Sequence, residues 1–142
     1  MITTYRVLVT GSRDWPDELA VSRQLTALLA ATTFLGQPFT LVHGACPTGA
    51  DAHADQWARW HQQRGARITI ERHHASDHGQ WPQCGPIRNR HMVALGADVC
   101  AAFISPCTKA RCSRPRPHGS HGASGCADLT EAAGIPTRRF IT

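Results

Sequence analysis

Apolar residues fall in five short runs, and the segments between them carry a helical repeat. Arg6 to Thr10 (Arg, Val, Leu, Val, Thr) is a β-branched run halted at Gly11, the pattern of a parallel strand covered on both faces. Beyond it, Val21, Leu25, Leu28 and Leu29 recur at i, i+4, i+7 and i+8, one stripe of a helix that Pro16 opens and that ends before Gly36. Phe39 to His43 repeats the strand pattern and closes on Gly44, and Ala50, Ala54, Trp57 and Ala58 form the buried stripe of a second helix. Thr48 followed by Asp51 reads as a capping box for that helix, with Asp in place of Glu. Arg67 to Ile70 is a third strand. Residues 71–85, rich in His, Gln, Gly and Pro, show neither period and read as a loop. Pro86 is expected as the first residue of a helix that stops at Gly96, and Val99 to Ile104 is the most apolar strand candidate. Residues 105–124 read as an irregular loop rich in Cys, His, Arg and Pro. A short helix, Ala127 to Ala133, and a strand, Thr137 to Ile141, close the chain.

Strands that alternate with helices imply a parallel sheet covered on both faces, because parallel neighbours need crossover connections of one hand. The expectation is one α/β domain over residues 1–142, a small Rossmann-like three-layer fold with a mostly parallel sheet of about five strands. In such sheets ligands bind at the carboxyl ends of the strands, where the strand order reverses. The loops that reach this edge are Gly11 to Arg13, Gly44 to Asp51 and the segment around Gly119 to Gly125.

Composition narrows the function classes. The longest apolar stretches, such as Val99 to Ile104, fall far short of the roughly 20 residues of a membrane span, so no membrane partner is expected. The first residues run straight into a strand without a basic-then-apolar leader, which predicts a cytoplasmic location. The net charge of +5 raises nucleic acid as a partner, but the excess is local. Lys109, Arg111, Arg114, Arg116, Arg138 and Arg139 face only Asp128 and Glu131 from residue 105 onward, whereas the earlier residues nearly balance. A contact through the 109–116 loop stays open and is not favoured. Six cysteines in such a chain read as reduced thiols or metal ligands rather than a disulfide framework. Within the loop, Cys107, Cys112, His118 and His121 supply two thiolates and two imidazoles, a donor set for structural zinc at a spacing that is not that of a standard finger. Free thiols and surface histidines are the plainer reading of the same four residues. Cys46, Cys84 and Cys100 read as buried or incidental thiols, His43 as a strand-end histidine satisfied by backbone, and Trp57 and Trp60 as core and helix surface.

Three glycine-bearing turns each lie between a strand and a helix, and the amides at such turns suit an anion such as phosphate. Ser12, Ala45, Ser120 and Ala123 keep the same space open. The run Val7-Leu8-Val9-Thr10-Gly11-Ser12-Arg13-Asp14-Trp15 resembles the opening of the YspA-type, cpYpsA-related branch of the SLOG superfamily. His43-Gly44-Ala45-Cys46-Pro47-Thr48-Gly49-Ala50-Asp51 is similar to its second motif, and Gly85 to Met92 to its third. Gly119 to Ala123 and Ala133 to Pro136 resemble its glycine turn and closing helix, so four motifs in order cover nearly the whole chain. That superfamily is Rossmann-like and includes cytokinin-activating phosphoribohydrolases and DNA-processing Smf-type proteins.

The resemblance implies a site for a nucleotide or nucleotide-derived ligand. Gly11, Ser12 and Arg13 would touch a phosphate or ribose, with Gly44, Gly49 and Asp51 beside them. Arg88 would pair with a phosphate, bidentate if geometry allows, and Asn89 would meet a ribose or base. Gly119, Ser120, Gly122 and Ala123 would form a second cradle. For Asp51, a residue favoured by the helix dipole weighs equally with ribose binding. A sensor or ligand-processing module is the first reading, no catalytic residue is assigned, and a homo-oligomer stays open. The alternative is hydrolysis of an N-glycosidic bond in a nucleoside monophosphate-like substrate, with Asp51 or Asp128 supplying a carboxylate. The hydrolase relatives carry a glutamate four residues after the last glycine of their turn, where this chain has Cys126. Asp128 lies two residues further, about 200° around a helix.

Overall fold

A computed structural model describes residues 3–142. Five strands, β1 (Tyr5–Gly11), β2 (Phe39–His43), β3 (Ile68–Arg72), β4 (Val99–Ile104) and β5 (Thr137–Ile141), form one parallel sheet in the order β3-β2-β1-β4-β5. The helices are α1 (Glu18–Phe34), α2 (Gly49–Gln63), α3 (Cys84–Ala94) and α4 (His121–Ala132), with a 3₁₀ turn at Ala75–His78. The α/β Rossmann-like expectation is met, and the strand boundaries of β2, β4 and β5 fall where the apolar runs place them.

Both faces of the central strands are covered, which is why β2 and β4 are apolar without alternation. On one face Val7, Val9, Leu41, Ala101 and Phe103 pack under α1 and α2, which contribute Val21, Leu25, Ala54 and Trp57. Leu8, Val42 and Cys100 point the other way, against Met92 of α3 and Cys126 of α4. Ala102 and Ile104 complete that second layer with Ala123 and Ala127. Trp57 is core and Trp60 is exposed, as their positions on the helical stripe predict.

Several boundaries depart from the sequence expectation. Helix α1 starts at Glu18 because the Asp17 carboxylate accepts the Ala20 N–H at 3.0 Å, leaving Pro16 outside. Thr48 precedes α2 but its side chain makes no capping bond, so no capping box forms; Asp51 turns inward instead. Helix α3 begins two residues before Pro86, which a first turn tolerates because its N–H groups need no helical partner. The largest shift is at α4, which begins at His121 rather than Ala127. The irregular segment therefore ends at Ser120, and Gly122 and Ala123 lie within the first helical turn.

Candidate functional site

The strand order reverses between β1 and β4, and Ser12, just past β1, is the hub of the edge there. Its N–H donates to the Phe103 carbonyl at 2.9 Å, and its carbonyl accepts from Ala50 at 3.3 Å. Its hydroxyl accepts the Ser105 N–H at 2.9 Å and is hydrogen-bonded to the Ser120 hydroxyl. One buried serine thus ties the ends of β1 and β4 to the N-termini of α2 and α4. Ser120 is the residue before α4 and spends its side chain on Ser12, so that helix carries no side-chain cap and presents its first N–H groups toward the same rim.

Gly11 and Gly49 are required by the protein's own packing, and Gly44 leaves the room that the Arg88 guanidinium occupies. A Cβ at Gly11 would stand 2.3 Å from Ala50 Cβ, one at Gly44 would stand 2.6 Å from Arg88 Nη1, and one at Gly49 would stand 2.2 Å from the Ser12 carbonyl oxygen. Gly119 is likewise hemmed in by Ile104 and Ser124, whereas Gly122 faces open space. Several turn amides are occupied: Ala45 donates to His43 Nδ1 at 2.9 Å, Cys46 to Asp51 Oδ2 at 3.3 Å and Ser120 to the Ser105 carbonyl at 2.8 Å. The β2–α2 loop is therefore a strut held by Asp51, while the N–H groups that open α4 have no side-chain cap.

Asp51 is buried in the first turn of α2. Burial pushes its carboxyl above the usual range, opposed by His43, by the Cys46 and Gly44 amides and by Arg88. Its Oδ1 has no hydrogen-bond partner, and the Ser105 hydroxyl oxygen shares that condition; among the described residues these are the two buried side-chain polar atoms left unpaired. Ser105 escaped the sequence reading. Its signal was position, a hydroxyl directly after an all-apolar strand at the edge where the order reverses.

Arg88 and Asn89 open outward from α3 but are partly committed. Arg88 Nη1 donates to the Gly44 and His73 carbonyls and Nε to Asn89 Oδ1 at 2.7 Å. Nε and Nη1 are thus engaged, so the expected two-pronged grip on a phosphate is replaced by a single free edge at Nη2. Arg13 is exposed and its guanidinium lies 5.0 Å from the centre of the exposed Trp81 ring, linking the β1 loop to the segment before α3. Cys126, in the place of the relatives' glutamate, is buried, and burial pushes its thiol up against a Thr10 hydroxyl contact. Asp128 is exposed and pairs with Arg139 at 2.6 Å.

Two clefts flank this rim. One of about 250 Å³ is lined by His43, Cys46, Asp55, Arg59, Arg72 and His74. There His43 accepts from Ala45 on Nδ1, which puts its proton on Nε2, facing Asp55 at 2.8 Å, so backbone and a carboxylate together satisfy it. Burial raises the Asp55 carboxyl but Arg72 and His43 outweigh it and bring it down to about 2. The other cleft, of about 410 Å³, runs along the start of α4 between Arg114, His118, Gly119, His121, Ser124 and Asp128.

In the wall of that second cleft the four loop residues converge. Cys107 Sγ lies 3.5 Å from His121 Nε2, Cys112 Sγ lies 3.4 Å from both His118 Nε2 and His121 Nε2, and the two Nε2 atoms are 3.3 Å apart. Arg116 donates to the Cys107 and Lys109 carbonyls, which braces the loop around the cluster while its charge stays in the basic patch. His73 and His78, near neighbours in the sequence, gather with His91, which arrives from α3.

Comparison with known proteins gives a concordant picture. The family model described as the YspA, cpYpsA-related SLOG family matches residues 5–76. The Gene 61 protein of Mycobacterium phage D29 is 37% identical over 136 residues, covering 95% of each chain. The solved structure of a universal stress protein from Archaeoglobus fulgidus superposes with a TM-score of 0.50 at 16% identity, covering 97% of this chain and 98% of that one, a likeness of fold alone. No helix among the described residues is long and apolar enough to cross a membrane.

Proposed function

The chain belongs to the YspA, cpYpsA-related SLOG family, and from that premise we propose that it binds a nucleotide or nucleotide-derived small molecule on the rim built from Ser12, Asp51, Ser105 and the first turn of α4. Family membership points to nucleotide-related binding in general; the rim supplies the particular chemistry. One observation carries the reading: the two unpaired buried polar atoms, Asp51 Oδ1 and the Ser105 hydroxyl, both belong to residues tied to Ser12 or its α2 neighbour. An orphaned buried acceptor costs about 1–3 kcal/mol, a cost that a guest's donor removes. A ribose hydroxyl suits the carboxylate, and phosphate oxygens suit the Ser105 hydroxyl and the α4 amides. Arg88 acts first as the clamp on the Gly44 carbonyl and second as a cation facing the guest. The cysteines stay reduced in a cytoplasmic setting, which we take as the location.

The test is mass spectrometry of small molecules carried through purification, then calorimetry with nucleoside mono- and diphosphates. Ser105→Ala and Asp51→Asn should each weaken binding by about tenfold, roughly 1.4 kcal/mol. Full affinity in both variants would remove this rim from consideration. A hydrolytic reading is favoured by one feature, the upward shift of a buried carboxyl, which suits a proton donor to a leaving group. Release of free base from a nucleoside monophosphate by the wild type, abolished in Asp51→Asn, would establish it.

A further inference from the structure

We propose that Cys107, Cys112, His118 and His121 hold one zinc ion in a closed tetrahedral centre that fastens the 105–120 segment to the first residue of α4. Around a tetrahedral zinc, bond lengths of about 2.3 Å to sulfur and about 2.0 Å to nitrogen set edges of roughly 3.5 Å for S···N and roughly 3.3 Å for N···N. Three of the four S···N edges measure 3.4, 3.4 and 3.5 Å and the N···N edge 3.3 Å, and all four atoms lie within 4.8 Å of one another. Unconnected thiols and imidazoles at a surface have no reason to adopt all these edges together.

Two independent features agree. His118 Nδ1 donates to the Pro115 carbonyl at 2.8 Å, which fixes the tautomer with a bare Nε2 aimed at the cluster, as metal-bound histidines require. Between residues 106 and 118 only Cys107 is buried, so apolar packing does not explain how this loop keeps one shape. Two thiolates and two imidazoles at tetrahedral edges select zinc over oxygen-seeking calcium or magnesium. Four protein ligands leave no open position, so the centre is structural. On binding, the two thiols lose their protons to solvent while the imidazoles enter neutral, and two thiolates balance the dication among Lys109, Arg111 and Arg114.

The full chain, purified under reducing conditions without chelator, should contain one zinc per chain by elemental analysis, and Cys112→Ser and His118→Ala should lose it. Replacement by Co(II) should give the intense visible bands of a tetrahedral site and a thiolate charge-transfer band. Trypsin offers a readout in the unaltered protein. Arg114 and Arg116 precede prolines and resist cleavage in any state, so the sensitive bonds are Lys109–Ala110 and Arg111–Cys112. These should be protected with zinc and cut after chelation. Substoichiometric metal after zinc reconstitution, a weak octahedral Co(II) spectrum, a Cys107–Cys112 disulfide in the reduced preparation, or cleavage indifferent to chelator would each overturn the assignment. The Co(II) and trypsin arms use the wild type and decide the matter even if the variants fail to fold.

Discussion

A methyl group separates two kinds of glycine at this rim. At Gly11 it would meet Ala50 Cβ at 2.3 Å and the Phe103 carbonyl oxygen at 2.8 Å, neither of which is a flexible chain end. Gly11→Ala must therefore push α2 off the sheet, and a loss of about 1–3 kcal/mol is expected from urea denaturation. Gly122 sits in the first turn of α4 with nothing within 4 Å of a new Cβ. Gly122→Ala removes backbone entropy from the unfolded chain and should stabilise by roughly 0.5–1 kcal/mol. If that variant gains stability yet loses nucleotide affinity, close approach of a guest is the reason for a glycine there. In the sequence these residues look alike, each a glycine in a turn between strand and helix. The difference depends on which atoms stand opposite, and only the packed structure reveals that.

At the scale of elements, the two N-caps give opposite expectations. Asp17 accepts the Ala20 N–H, so Asp17→Ala should cost about 1 kcal/mol in thermal or urea unfolding. Thr48 makes no such bond, so Thr48→Ala should change stability by less than about 0.5 kcal/mol. Equal costs would mean that Thr48 caps α2 after all. The strands were legible because a strand buried on both faces has a continuous apolar run with a sharp end; β2 and β4 could be read to the residue. Helix starts were less legible. Gly122, Gly125 and the neighbouring His and Ser carry little helical propensity, and burial of Ala123, Cys126 and Ala127 against β4 overrides it, moving the start of α4 to His121. Asp51 obeyed a different rule from the capping box, because a carboxylate that reaches two loop amides at once stabilises the β2–α2 connection more than one that caps alone. Ser105 lies between the segments that resemble the third and fourth family motifs, so the resemblance did not point to it.

Across the whole sheet, charge pairs should make stability depend on pH in a way that can be assigned to one clamp. Arg6 on β1 reaches over β2 and grips Glu71 on β3 with both arms, at 3.0 and 2.8 Å, while His73 approaches the same carboxylate at 2.8 Å. The Arg6 guanidinium is the main reason that the Glu71 carboxyl lies down at about 2 instead of 4.5, with His73 assisting against burial. Its folded value is depressed, so between pH 4.5 and about 2 the unfolded chain binds more protons than the native one. The stabilisation is complete above pH 4.5 and drains away as the pH falls toward 2. Asp55 adds a limb of the same sign, and Asp51 one of the opposite sign, since its raised folded value makes the native state the better proton binder just above pH 3.8. With Arg6 and Glu71 side chains 24% and 32% exposed, solvent screens the clamp, and its share should be about 1 kcal/mol or less. Thermal melts across this range should show the acid limb of Glu71→Gln flatter than that of the wild type, with the two curves closest near pH 2 and furthest apart above pH 4.5. A constant gap between the curves over the whole range would mean that Glu71 contributes packing and hydrogen bonding alone, and that the sheet's acid sensitivity arises at Asp55.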